Sequence, residues 1–456
     1  LATQGKPLGK DRNYERWRWQ IFFISWLAYL GFYLTRKSFS VAKVELVKPS
    51  VMGWSKADLS KIDAAMLITY AIGNFLCGIL GDRFGTRKVV LVGMLGSVIA
   101  AFLMGASSLI LVMGILFAIQ GFCQSAGWGP LSKNIGEFFS QRERGSVMGF
   151  WCTSYAVGGV LAAALAGYMA EHYGWRYALW GPAAALFVIW VLFLLLQRNR
   201  PEDVGLPPIE QYHGEPEALV APGETPAEEP EGSWAVIVSV LKNKMVMLLA
   251  VVYFLVKMPR YFFLFWAPLL INERLGTGTA ESGLLGSIYD IASPFGVLLG
   301  GYLSDKMFQS RRIPMSIIGL IGTVIILFSF SHLPNTRLAL GLGLFGIGFL
   351  LNIPDSLVSG TAAIDFGTKK GASTASGLIN GVGGIGAVIG ETAPGWIDKF
   401  VHNGQDSWTY IFMGLGVVMG VAALLLLPKW NELPPVAKER QARAVVSDAA
   451  PARVPD

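Results

Sequence analysis

Apolar runs of about 20 residues or more, each long enough at a rise of about 1.5 Å per residue to cross a bilayer core, follow one another along nearly the whole chain. Clusters of charged residues, glycine and proline separate them. Reading the runs against these breaks predicts spans near residues 18–46, 58–81, 89–107, 109–134, 146–170 and 176–197, and then 244–271, 282–304, 314–331, 336–364, 372–397 and 408–428. Inside lipid the backbone has no water to bond, so segments of this length are helices. The fold class that follows is an all-α membrane protein of twelve transmembrane helices in two six-helix bundles. Between the sixth and seventh spans, Pro201, Pro207, Pro208, Pro216, Pro222, Pro226 and Pro230 stand among many glutamates, with too little apolar surface to fold alone. The expected organisation is a cytoplasmic segment 1–17, a bundle 18–197, a cytoplasmic linker 198–240, a bundle 241–430 and a disordered cytoplasmic tail 431–456.

Composition sharpens this picture. Of 456 residues, 53% are hydrophobic and only 15% charged, against about a quarter charged in soluble domains, so no soluble catalytic domain fits between the spans. No nucleophile–base pair or metal cluster emerges from the connections, so an enzyme is not expected, and neither is a cofactor or a metal. Cys77, Cys123 and Cys152 lie inside apolar runs, too scattered for a disulfide framework. The four histidines fall in or beside polar stretches, which leaves none to relay protons in mid-membrane. A net charge of +6 could suggest a nucleic-acid partner, but the excess basic residues flank spans, where the positive-inside rule accounts for them. The basic first 18 residues lack the apolar core of a cleavable leader, so the N-terminus is expected to stay cytoplasmic. An even number of spans puts both termini on one side. That side carries Arg83, Arg87, Lys88, Arg142, Arg144, Lys306, Arg311, Arg312, Lys369 and Lys370. The first opposite loop, with Lys43, Lys48, Lys56 and Lys61, is the exception. The expected setting is a bacterial inner membrane, with lipid around a monomer.

Three landmarks recur at nearly one offset. Gly81-Asp82-Arg83 returns as Ser304-Asp305-Lys306, 223 positions on; Arg36 is echoed by Arg260 after 224; Val157-Gly158-Gly159 returns as Val382-Gly383-Gly384 after 225. Such register argues for a duplicated, pseudo-symmetric six-span unit with a solute site where the halves meet at mid-membrane. A guanidinium at that depth costs about 2.5–3.5 kcal/mol even on a lenient scale, so two of them need a reason. Tyr29, Tyr33 and Arg36 form one helical stripe, and Tyr253, Lys257 and Arg260 repeat it. Arginine's planar fork donates paired hydrogen bonds to phosphate or carboxylate. The bland alternative is that each arginine snorkels from a span end to the headgroups.

The string Gly78-Ile-Leu-Gly-Asp82-Arg83-Phe-Gly85-Thr-Arg87-Lys88 resembles the signature of the major facilitator superfamily, with Asp305, Lys306, Arg311 and Arg312 as its degenerate copy. The resemblance implies a gating role for Asp82, Arg83, Arg87 and Asp305, which pair across helix ends and release as the halves rock. Four blocks narrow the likeness to the organophosphate:phosphate antiporters. They are Arg18-Trp19-Gln20-Ile21-Phe22 leading to Tyr33-Leu34-Thr35-Arg36-Lys37, the Gly121–Pro130 and Ser140–Gly145 pair, Gly205-Leu-Pro-Pro-Ile-Glu210, and Arg260-Tyr261 with Trp266-Ala-Pro268. The linker block weighs most, having no evident packing reason. In that family the paired arginines bind phosphate, which places the ligands at Arg36 and Arg260. Two positions depart from the glycerol-phosphate and hexose-phosphate carriers: Asn74 stands where a second-span lysine is usual, and Tyr155 where the glycerol-phosphate carrier has histidine. Asn352-Ile-Pro-Asp355 and Asp365-Phe-Gly look more like the sugar-phosphate exchangers.

The expectation is a secondary carrier that exchanges an organophosphate for inorganic phosphate, with Tyr29, Tyr33, Tyr155 and Asn380 orienting oxygens. Lys257 is either a third phosphate ligand or the neutraliser of Asp355 in the tenth span. Glu391 is either a substrate contact or part of a water-exposed helix end. Two alternatives stand beside this: a hexose-phosphate membrane sensor of the same family, and a proton-coupled carrier of organic anions or drugs.

Overall fold

A computed structural model describes residues 11–213, 234–308, 311–362, 372–400 and 407–432. The described chain is helical, without strands. Twelve helical segments cross the bundle: α1 (Arg12–Leu46), α2 (Lys56–Phe84), α3 (Thr86–Ala106), α4 (Ile110–Gln124 and Trp128–Phe138), α5 (Gln141–Trp151 and Thr153–Tyr173) and α6 (Trp175–Leu196). The second set is α7 (Lys244–Leu275), α8 (Thr279–Gly286 and Ile288–Met307), α9 (Arg312–Phe330), α10 (Arg337–Ser356), α11 (Ala372–Phe400) and α12 (Ser407–Leu426). Among the described residues nine of these helices are long and apolar enough to cross a membrane. Arg36, Lys37 and Lys43 of α1 and Asp63 of α2 are buried.

Caps set the starts. The Asp11 side chain accepts from the N–H of Asn13 at α1, Ser55 from Asp58 at α2, Asn243 from Met245 and Val246 at α7, and Thr336 from Ala339 at α10, each satisfying a donor the helix cannot. Gly85 (φ 83°) and Gly174 (φ 96°) are single-residue joints between α2 and α3 and between α5 and α6, a left-handed turn that a side chain would strain.

The duplication is visible in the packing. α2 lies on α4 as α8 lies on α10, α1 on α5 as α7 on α11, and α3 on α6 as α9 on α12. Gly121 of α4 meets the carbonyl of Met66 on α2, and its counterpart Gly348 of α10 meets the carbonyl of Tyr289 on α8. A Cβ at either glycine would strike backbone, so the close approach requires glycine there.

The linker block does have a packing reason, contrary to expectation. Residues Pro201–Val204 and Ile209–His213 are helical and lie on the start of α1. Tyr14 and Tyr212 stack at 3.9 Å, the Tyr14 hydroxyl donates to the Pro207 carbonyl (2.9 Å), and the Asp11 N–H donates to the Tyr212 hydroxyl (3.0 Å). Leu206 and Ile209 are buried in this cluster. Burial, then the nearby Glu15 carboxylate, hold the Tyr212 phenol above its usual range. The Arg18 block also acquires a reason: Arg18 is buried, paired with Glu15 and Glu143, and donates to the Phe138 carbonyl, fastening α1 to α4 and α5. Asp365 and the tail from 433 onward lie outside the described residues.

Candidate functional site

α1 carries Arg36 well inside the helix, only 5% exposed, so it does not snorkel. Its guanidinium lies between the rings of Tyr33 (4.7 Å) and Tyr70 (4.4 Å), and Nε donates to Gln124 Oε1 at 2.8 Å. Gln124 is itself held, its Nε2 donating to the Thr35 hydroxyl at 3.1 Å. Buried Nη2 meets no acceptor among the described residues. The arrangement fixes the fork and leaves a donor to spare, as a site for an anion would.

From the other half α7 brings Arg260. Pro259 before it has no N–H, which frees the carbonyl one turn back from the helical ladder. Arg260 Nη1 pairs directly with Asp355 Oδ2 on α10, and Lys257 Nζ stands 3.9 Å from Asp355 Oδ1. Lys257 also lies over the rings of Tyr253 (4.8 Å) and Tyr261 (5.2 Å). Asp355 closes the last regular turn of α10, which continues as the π-helical stretch Leu357–Ala362, a geometry frequent at functional sites.

Tyr33 and Tyr261 each lie within electrostatic reach of both Arg36 and Arg260, so the two guanidiniums address one space. Counting Arg36, Lys257 and Arg260 against Asp355, that space holds two surplus positive charges among the described residues. Arg260 is therefore already compensated by Asp355, for which the sequence offered Lys257 as the partner.

The other expected residues distribute around this pair. Tyr155 of α5 lies beside Tyr33 (ring centroids 5.9 Å apart) and close to Arg260. Tyr29 lies deeper, its ring against Trp151 (4.8 Å) and Trp128 (5.7 Å). Asn380 is exposed and donates to the Ser376 carbonyl of its own helix (2.9 Å). Arg83 is exposed over Phe84, and Arg87 donates to the Leu194 carbonyl (2.6 Å) on α6, inside its own half. The side chains of Asp82 and Asp305 lie outside the described residues. Glu391 is not at a water-exposed helix end: it is fully buried, and its carbonyl and Oε1 accept from the Trp266 indole.

Sequence reasoning missed Tyr70, Gln124 and Tyr261, and the pair Lys37–Asp290 (2.9 Å), which ties α1 to α8 across the halves. Polar residues at 120 and 124, one helical turn apart in an apolar run, were the available signal for Gln124.

The cavity opens toward one end. On α2, Asp63 and Asn74 are three turns apart on one face; on α11, Glu391 and Asn380 have the same spacing in reverse. Asp63 and Glu391 are buried against each other, whereas Asn74 and Asn380 are both exposed. The halves thus meet at the end opposite the chain termini and separate over about 16 Å of helix. Lys56 to Glu273 (2.9 Å), Glu45 to Thr279, and Glu171 to the Ala280 N–H (3.0 Å) reinforce the closed end.

Comparison with known proteins adds the following. The family model "Major Facilitator Superfamily" matches residues 21–391. The "Probable hexose phosphate transport protein" of Chlamydia trachomatis is 30% identical over 92% of both chains. The "Glycerol-3-phosphate transporter" of Bacillus subtilis is 31% identical over 92% of this chain and 94% of its own. The "Membrane sensor protein UhpC" of Salmonella typhimurium is 30% identical over 93% and 94%. Among solved structures, a bacterial homologue of the human lysosomal transporter Spinster, in an inward-facing unoccupied conformation, gives a TM-score of 0.69 at 14% identity, covering 92% of this chain and 96% of that one. That likeness speaks for a shared fold.

Proposed function

This chain belongs to the Major Facilitator Superfamily, and within it to the organophosphate:phosphate antiporter family, and from that premise we propose that it exchanges an organophosphate of sugar or glycerol type for inorganic phosphate by alternating access. The observation that carries this reading is the convergence of Arg36 and Arg260, one from each half, on a space with two surplus positive charges.

The charge balance supplies the mechanism. Closing the cavity dry around that surplus is unfavourable, because desolvated charge without a counterion is costly. A phosphate dianion cancels it. It meets the open Nη2 of Arg36 on one side and competes with Asp355 for Arg260 on the other, while Lys257 keeps Asp355 company as Arg260 turns to the substrate. Either phosphate or organophosphate meets this requirement and an empty cavity does not, so exchange follows without a separate ion. Tyr33, Tyr155 and Asn380 line the route and orient oxygens; Asp82, Arg83, Arg87 and Asp305 act at the helix ends where the cavity opens. In this reading that end faces the cytoplasm with both termini, as its basic connections favour, in an inner membrane of bacterial type.

The test is trans-stimulated release of labelled phosphate from proteoliposomes against triose, glycerol, hexose and carboxylate phosphates and against carboxylates that carry no phosphate. Exchange is expected with at least one organophosphate and not with carboxylates. Arg260→Lys should reduce exchange severely, because a point charge cannot reproduce a bidentate fork. Near-normal exchange by that variant would exclude the reading. The sensor relatives motivate one competing reading, a receptor that binds hexose phosphate without flux. Saturable binding with no counterflow would decide for it.

A further inference from the structure

At the closed end four helices bring together a second buried polar group that the exchange reading does not use. Lys43 (α1), Asp63 (α2) and Glu391 (α11) are each 0% exposed, and Trp266 (α7) completes the set. Lys43 Nζ pairs with Asp63 Oδ2, donates to the Phe265 carbonyl (3.3 Å) and lies 3.9 Å from the Trp266 ring centroid. Glu391 Oε1 accepts from the Trp266 indole at 3.2 Å. The two oxygens left over, Asp63 Oδ1 and Glu391 Oε2, are buried, and among the described residues no N–H or hydroxyl reaches them. Yet the two carboxyl groups lie within hydrogen-bonding reach of each other.

Two carboxylates and one ammonium leave one negative charge in a sealed interface, with an orphaned acceptor on each carboxyl group. A single proton removes both faults: it neutralises the group and serves as the donor between the orphaned oxygens. We propose that Asp63 and Glu391 hold one proton between them whenever this end is shut, which makes the proton a ligand of the closed conformation. When the halves part here, Asp63 leaves with α2 and Glu391 with α11. Both become hydrated, which stabilises their charged forms, and the proton passes to water on that side. Closing reverses the step.

The other charged groups around the cluster are already engaged. Toward the loops Lys56 pairs with Glu273 and Asp398, and Glu45 bonds to Thr279; toward the cavity Lys37 pairs with Asp290. None supplies the missing donor. Because the closed state carries one more proton than the open state, linkage sets the sign: acidifying this side favours closure, and the closed-to-open ratio falls by up to about tenfold per pH unit as pH rises above the hydrated-carboxylate range of about 4.

The test uses the full chain in lipid nanodiscs without substrate, so its failure is separable from failure of the exchange reading. Spin labels introduced as Lys61→Cys and Arg337→Cys, both exposed at this end, report the distance between halves. The expected result is a closed population that declines with pH at a one-proton slope. Glu391→Gln and Asp63→Asn, whose amides donate in the proton's place, should each stay closed and lose the slope. An infrared band of a protonated carboxyl should be present in the wild type and absent from Glu391→Gln. A wild-type distance distribution that does not change with pH overturns the proposal, as does a slope that survives in both variants. Should one variant fail to fold, the other and the wild-type slope still decide.

Discussion

Arg36 differs from Arg260 in what already occupies it. Gln124 takes only Nε of Arg36 and thereby aims the fork, so Gln124→Leu should leave the charge in place but lose its direction. A hydrogen bond to a charged group is worth about 1.5–3 kcal/mol, which corresponds to a roughly ten- to hundredfold rise in the phosphate concentration that half-saturates exchange. At Arg260 the opposite holds. Asp355 competes with the substrate, so Asp355→Asn should tighten phosphate binding by about tenfold while slowing turnover, because the empty cavity gains a third surplus charge and resists closing. Equilibrium binding and exchange rate measured on the same preparation check both halves of that statement. The arginines were legible in the sequence, since a cation inside an apolar run has few reasons to be there. Their partners were not, because Gln124 and Asp355 reach them from other helices, and one sequence does not say which faces meet.

At the scale of the element, backbone contacts between helices carry the consequences. A leucine at Gly121 would drive into the carbonyl of Met66, and one at Gly348 into that of Tyr289. Overpacking of this kind costs about 1–3 kcal/mol, so both variants should lower the thermal unfolding midpoint in detergent. Gly384→Ala should not lower it, because a Cβ there meets open space. The linker clamp gives a graded series: Tyr212→Phe keeps the stack with Tyr14 and loses two hydrogen bonds, while Tyr212→Ala loses both. Proteolysis in residues 205–213 should rise from wild type to Phe to Ala. Since burial raises the Tyr212 phenol, the clamp's contribution is present below about pH 10 and is lost only as pH climbs through the raised value. The helices themselves were readable from apolar length, whereas the clamp was not, because a proline-rich run looks alike whether or not an aromatic from another segment stacks on it.

For the whole molecule, the divergence of α2 and α11 predicts where water reaches. Asn74→Cys and Asn380→Cys should react with a membrane-impermeant thiol reagent supplied from the side of the termini, and saturating phosphate should slow both reactions. Ser60→Cys, buried at the closed end beside Gly395, should remain unreactive from that side. Reaction at all three positions at similar rates would mean the halves do not separate in the way the helix faces indicate.

The sequence by itself determined the twelve spans, their duplication and the presence of two matched arginines, because each is written in local apolar length or in a repeating register. Tertiary structure alone decided that Asp355 neutralises Arg260, that Glu391 is sealed against Asp63 and Lys43, and which end of the bundle is shut. Those facts depend on charges brought together from helices far apart in the chain. Their energies come from mutual desolvation, which exists only once the two halves have packed.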